Sequence, residues 1–237
     1  MNYKNMKKAL FYFKNLIPCK ILERVNRFVV KVIINDKEEL AYLTNTGRLR
    51  DIIYKGAEGF CLSKEGKLKF ILIATKVNEK EYTLIDTKYQ MVCFEEAVKN
   101  NYLNWLKNVK LIKRNIKVNN SLIDYLYKNK EEIFIEIKSA VLFDGYFSMY
   151  PDCPSIRGRR HVDEILRLRK EGKRSMIVFI AAHPYAKAFK PYYEGDKILA
   201  EKIKEAYYNG VEMHAIRMHL ENSGYVYLTD DDLPIKF

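Results

Sequence analysis

Long apolar runs are missing from this 237-residue chain, and no stretch approaches the roughly 20 apolar residues that a membrane helix needs. With 48% hydrophobic and 30% charged residues the composition is that of a soluble globular protein, and no membrane is expected among its partners. Nor is a secretory leader expected. Lys4, Lys7, Lys8 and Lys14 surround the apolar run Ala9-Leu10-Phe11-Tyr12-Phe13, which is too short for an h-region, and no small-residue cleavage site follows. Residues 1–16 read instead as a short amphipathic helix capping the fold, and the protein as cytoplasmic. Cysteine is sparse: Cys19, Cys61, Cys93 and Cys153 are scattered, which argues for reduced structural thiols and against a disulfide framework. The four histidines are equally dispersed, so no zinc site is expected, and His183, His214 and His219 read as structural.

Acidic residues are outnumbered. Forty-two Lys and Arg stand against 30 Asp and Glu, for a net charge of +12. An excess this large favours a polyanionic partner, nucleic acid before an anionic membrane surface. The plainer alternative is a well-solvated, thermophile-like surface, since Lys, Glu, Ile and Tyr abound and Gln90 is the only glutamine.

The first third of the chain has the texture of closely spaced strands, at residues 20–24, 28–34, 39–43, 58–62, 68–77 and 82–86. Turn signals at Asn35-Asp36 and Thr44-Asn45-Thr46-Gly47 separate them. So many strands with little room for helices predict a small barrel, of which the OB type commonly binds nucleic acid. Near residue 88 the texture changes. Helices are expected at 91–101, 161–172 and 196–209, the second ended by Gly172 in a left-handed cap and the third opened by Asp196 as N-cap. Strands are expected at 109–118, 121–127, 133–139, 211–220 and 225–228. A further strand at 175–182 is nearly continuous hydrophobe, as in a sheet covered on both faces.

Chemistry concentrates in Ser121-Leu122-Ile123-Asp124-Tyr125 and Ile133-Phe134-Ile135-Glu136-Ile137-Lys138-Ser139. Side chains alternate along a strand, so Glu136 and Lys138 face one way while Ile135 and Ile137 face the core. A short connection brings Asp124 onto the neighbouring strand. Asp124 and Glu136 would hold Mg²⁺, with Mn²⁺ as the alternative, because such a hard cation takes oxygen ligands. Lys138 would orient or help deprotonate the attacking water and stabilise the transition state of phosphodiester hydrolysis. The competing view is a pair of edge-facing charges on a half-solvated hairpin. Glu95 and Glu96 could supply a further metal ligand or form a solvated helix-surface pair. Arg157-Gly158-Arg159-Arg160-His161 leads into a helix and places cations at its N-terminus, where phosphate is captured. Lys107, Lys110, Lys113, Arg114 and Lys117 form either a second basic track or, more simply, a solvated strand.

These residues resemble the sugar fermentation stimulation protein A family over about residues 21–237. The resemblance rests on Leu22-Glu23-Arg24-Val25-Asn26-Arg27-Phe28, Leu43-Thr44-Asn45-Thr46-Gly47-Arg48-Leu49, Val92-Cys93-Phe94-Glu95-Glu96-Ala97-Val98, Ile135-Glu136-Ile137-Lys138-Ser139 and the 157–161 run. It implies an α+β two-domain chain. Residues 1–18 would be an extension, 19–87 an OB-like β-barrel, and 88–237 a PD-(D/E)XK nuclease-like α/β domain with a mixed sheet. Such proteins are described as DNA-binding, linked to sugar metabolism genes, and nuclease-like. The catalytic set would be Asp124, Glu136 and Lys138, and the nucleic-acid contacts Arg27, Asn45, Arg48, Arg157, Arg159, Arg160 and His161. Gly47 could serve only a positive φ in its turn. Val25 stands where the family usually has proline, Tyr42 and Thr44 replace a common His and Pro, and Leu122 replaces an arginine beside Asp124.

Three functions compete. A metal-dependent nuclease acting on DNA, RNA or both needs the intact carboxylates. A non-catalytic DNA-binding regulator of sugar metabolism genes would have no need of carboxylates facing a polyanion. An enzyme acting on a small phosphorylated ligand predicts a closed pocket. Oligomeric state stays open, a homodimer included.

Overall fold

Alternation of buried and solvated residues organises the first part of the molecule, which a computed structural model describes over residues 7–237. In β3 (Val29–Ile34) the even members Val30, Val32 and Ile34 are buried. β3 lies between β2 (Ile17–Asn26) and β4 (Lys37–Tyr42), and Asn35 and Asp36 turn the β3–β4 hairpin with φ of 49° and 60°. Positive φ at both central positions is the type I′ geometry that matches strand twist, and Asn and Asp tolerate it well. β2 also pairs with β5 (Glu58–Ser63), β5 with β6 (Phe70–Lys76), and β6 closes on β4 in parallel. These five strands make a closed barrel, which leaves no free edge among them.

β7 (Glu81–Leu84) leaves the barrel and joins a mixed sheet. Within it β8 (Lys110–Val118), β9 (Ser121–Lys128) and β10 (Glu132–Ser139) form a meander. β13 (Arg174–Ala181) lies parallel to β10, β15 (Glu212–Glu221) parallel to β13, and β16 (Tyr225–Asp230) antiparallel to β15. β11 (Leu142–Phe143), β12 (Phe147–Tyr150) and β14 (Ala188–Pro191) form a small second sheet. Every residue of β13 after Arg174 is buried. Met176, Val178 and Ile180 pack with the barrel interior and with Phe94 of α1 (Thr87–Lys99), while Ile177, Phe179 and Ala181 pack under α2 (Ile156–Lys170) and α3 (Lys197–Tyr208). The two-faced burial expected of this strand is therefore present. Asp196 caps α3, and Gly172, at φ 80°, follows α2.

Three expectations change. The N-terminal amphipathic helix is a strand: β1 (Lys8–Tyr12) pairs with β16, and Leu10 and Phe13 are buried. A strand partner more than 200 residues away has no local signature, whereas lysines around an apolar run do suit a helix; residues 1–6 of that segment lie outside the described residues. α1 opens four residues early at Thr87, capped by Asp86, which accepts from Tyr89 N at 2.8 Å. α2 opens at Ile156, so the cluster at 157–161 lies inside the helix and does not precede it. Ser155 is the cap, its side chain accepting from Gly158 N.

Candidate functional site

The central strand of the site, β10, carries Glu136 and Lys138 on the face covered by α2. Both are buried, at 2% and 8% exposure, so they are not the edge charges of a solvated hairpin. Lys138 Nζ donates to Glu136 Oε1 at 2.6 Å. His161, on α2, bonds the same oxygen through Nδ1. Its Nε2 accepts from Arg157 Nε at 3.3 Å, which leaves Nδ1 as the nitrogen that donates to Glu136. Glu136 Oε2 is buried with no hydrogen-bond partner among the described residues. Burial raises the Glu136 pKa, but the Lys138 ammonium and the His161 bond outweigh it, and the carboxylate titrates below its usual range. For Lys138 burial acts downward, and the carboxylate of Glu136 outweighs it so that the ammonium is held firmly.

Asp124 stands on β9 one residue beyond the last β9–β10 pair, Tyr125 with Ile135. Its Oδ2 accepts from Ile137 N at 2.8 Å, which aims the carboxylate across the strand ends towards Glu136. Burial, with the Glu136 charge behind it, pushes Asp124 up to about 7, against the pull of Lys138 and Arg157. The sequence-predicted Asp124, Glu136 and Lys138 are thus brought together. An anionic oxygen with unused lone pairs beside a second carboxyl, which a bound cation would help to ionise, is the donor set that a hard divalent cation takes. These two acids fit a divalent cation of that kind.

The other expected residues fall in different places. Glu95 holds Arg114 of β8 and Glu96 pairs with Lys99. No three donor atoms drawn from Glu95, Glu96, Asp124 and Glu136 come within 4.8 Å of one another; among the described residues the group that does is Glu81, His219 and Glu221. Arg159 grips Asp196, and His161 is buried beneath Glu136, so neither presents its side chain freely to solvent. Arg157 and Arg160 are exposed and in no ion pair among the described residues. Lys110, Lys113 and Lys117 lie along the exposed edge strand β8, in keeping with its simpler reading.

A barrel loop completes the site. Asn45 Nδ2 donates to Ser139 Oγ at 3.1 Å, next along β10 from Lys138. Asn45, Thr46 and Gly47 face Tyr150, Asp152 and Ser155 across a cleft of roughly 130 Å³. Gly47 has no positive φ; a Cβ there would lie 2.5 Å from the Asp152 carboxylate, so close approach is what requires glycine. Arg48 is exposed with its carbonyl held by Arg24, and the Arg27 guanidinium lies 4.6 Å from the Phe28 ring centre. The link from His161 to Glu136 was not foreseen. Placing the helix start at Ser155 would have put Arg157 and His161 at i, i+4 on one face and pointed to it. No helix among the described residues is long and apolar enough to cross a membrane.

Residues 22–85 match the SfsA N-terminal OB domain, and residues 88–224 match the sugar fermentation stimulation protein RE domain. A sugar fermentation stimulation protein homolog of Pyrococcus furiosus is 46% identical over 211 residues, 88% of this chain and 91% of the relative. One from Archaeoglobus fulgidus is 44% identical over 230 residues, 95% of this chain and 98% of the relative. The solved structure of Pyrococcus furiosus SfsA in complex with Ca²⁺ superposes with a TM-score of 0.94 at 43% identity, covering 97% of this chain and all of that one. A barrel and a mixed-sheet α/β domain, matched in order and almost end to end, make this chain a member of the sugar fermentation stimulation protein family.

Proposed function

We propose that this protein binds nucleic acid and hydrolyses its phosphodiester bonds with a divalent metal, Mg²⁺ or Mn²⁺, held by Asp124 and Glu136. The observation that carries the reading is the buried Glu136–Lys138 pair with Glu136 Oε2 left without a partner. A buried carboxylate normally has its lone pairs satisfied, so an orphan oxygen beside Asp124 is costly unless a cation completes it. The bound ion would lower the pKa of a water and offset charge on the phosphate. Ca²⁺ shares the oxygen preference of Mg²⁺, and the Ca²⁺ complex of the Pyrococcus furiosus relative supports such an ion.

Lys138, firmly protonated, serves as a fixed positive charge for the transition state and not as a proton acceptor. His161 orients Glu136. Arg157 and Arg160, with Arg27 and Arg48 from the barrel side, track the strand backbone, while buried Asn45 ties its loop to Ser139, and the +12 charge supports a polyanionic substrate. On this reading residues 19–87 grip the strand and residues 88–237 cut it.

The test is cleavage of labelled single- and double-stranded DNA and RNA with Mg²⁺, Mn²⁺ or EDTA, wild type beside Lys138→Ala and Asp124→Asn. Metal-dependent cutting that both variants lose by at least roughly 100-fold is expected. Binding without cutting, unchanged in the variants, would sink catalysis and leave a DNA-binding regulator of sugar metabolism genes.

A further inference from the structure

Where the barrel half meets the α/β half, β7 opens with Glu81 and β15 closes with His219-Leu220-Glu221. Glu81 and Glu221 are direct partners in the antiparallel ladder. Two carboxylates facing each other across strands repel, and a nearby cation, here the Lys7 ammonium on Glu221, eases that repulsion. His219, two residues before Glu221, is 2% exposed, and neither of its ring nitrogens makes a hydrogen bond among the described residues. Its Nε2 lies 3.2 Å from Glu81 Oε1 and 3.8 Å from Glu221 Oε1, a close approach without hydrogen-bond alignment. A buried imidazole left unbonded while aimed at two carboxylates is the second feature that an acidic pair alone would lack.

We propose that Glu81, His219 and Glu221 form a second metal site, for a divalent ion of the Zn²⁺ class, that staples β7 to β15. One imidazole nitrogen and two carboxylate oxygens come within 4.8 Å of one another, the mixed N/O set that Zn²⁺, Co²⁺ or Mn²⁺ accepts. Mg²⁺ and Ca²⁺ favour oxygen alone. Asn78 Nδ2 donates to Glu81 Oε2 at 2.8 Å and leaves Oε1 for the ion. The Lys7 ammonium pairs with Glu221, and at 52% side-chain exposure it is free to swing away when the ion enters. The group shares no residue with Asp124, Glu136 and Lys138, so its fate is independent of the proposed nuclease.

The experiment equilibrates the full chain with Zn²⁺, removes free metal and measures the metal retained by wild type, Glu81→Gln, Glu221→Gln and His219→Gln. Wild type is expected to keep one more Zn²⁺ per chain than each variant. Zn²⁺ at a hundredfold excess over Kd should raise its Tm by roughly 5–10 °C more than that of Glu81→Gln. Glu81 and Glu221 are only partly buried, so those variants keep the test alive if His219→Gln does not fold. Anomalous diffraction from a Zn²⁺-soaked wild-type crystal, which needs no variant, should place a peak between the three side chains. Equal metal content in wild type and the folded variants, with no peak beside His219, overturns the site.

Discussion

A carboxyl pushed up to about 7 makes Asp124 the most informative single residue in the molecule. Its folded-state pKa lies above the roughly 3.9 of an unfolded chain, so folding takes up a proton there between those values. The stability this contributes is complete below pH ~4 and is lost as pH rises through about 7. In EDTA, Asp124→Asn should therefore be more stable than wild type at pH 8 by roughly 1–3 kcal/mol, and by much less at pH 5. Urea melts at both pH values measure it, and a difference that does not change with pH refutes it. Lys138→Ala works the other way. It strands the buried Glu136 carboxylate with only His161 as partner, and a loss of roughly 2–4 kcal/mol by chemical denaturation is expected. Glu136 and Lys138 were legible in the sequence as charges at i and i+2 within an apolar strand, and Asp124 as a carboxyl set between Ile123 and Tyr125 on the strand before it. The role of His161 was not, because the helix that carries it begins at Ile156, before the residues that looked helical.

Two helices are locked together through one side chain. Asp196 caps α3 at Leu199 N, accepts from Ser155 N at the start of α2, and takes the Arg159 guanidinium on both oxygens. Gly158 sits where this contact is tightest: a Cβ there would meet Leu199, Ser155 and Tyr150 within 2.9 Å. A glycine inside an arginine cluster reads from sequence as a loop, and only the helix packed against it explains why it must be glycine. Asp196→Ala removes a cap and leaves Arg159 unpaired, so a loss of roughly 2–4 kcal/mol is expected in thermal or urea unfolding. Arg160→Ala, two helix positions from Gly158 and free of ion pairs among the described residues, should change stability by less than about 0.5 kcal/mol. If Arg160 contacts phosphate, the variant weakens binding across all nucleic-acid sequences and lowers the salt slope by about 1. Binding titrations at several salt concentrations separate the two variants, and an unchanged slope for Arg160→Ala removes it from the interface.

At the scale of the whole chain, the family boundary between residues 85 and 88 is not a boundary in the core. One contiguous apolar cluster contains Ile21, Val30 and Leu72 of the barrel together with Tyr125, Met176 and Leu220 of the α/β half. Backbone continuity adds to it, because β7 pairs with β15 and β1 pairs with β16. The first pairing follows the chain out of the barrel; the second joins the two ends of the sequence, which is why the barrel was readable from local alternation and the fate of the N-terminal segment was not. Domains that share a core cannot unfold separately without exposing its other half to water, at about 25 cal/mol for each Å² of apolar surface. A single calorimetric transition, with calorimetric and van't Hoff enthalpies in agreement, is the expected behaviour of metal-free protein. Removal of residues 1–13 takes away Leu10, Phe13 and the β16 partner at once, so it should lower the Tm of that one transition and not abolish a first of two. Two resolved transitions in the intact chain would mean that barrel and sheet fold as separate units, and that the shared cluster contributes little to holding the cleft between Asn45 and Ser155 in shape.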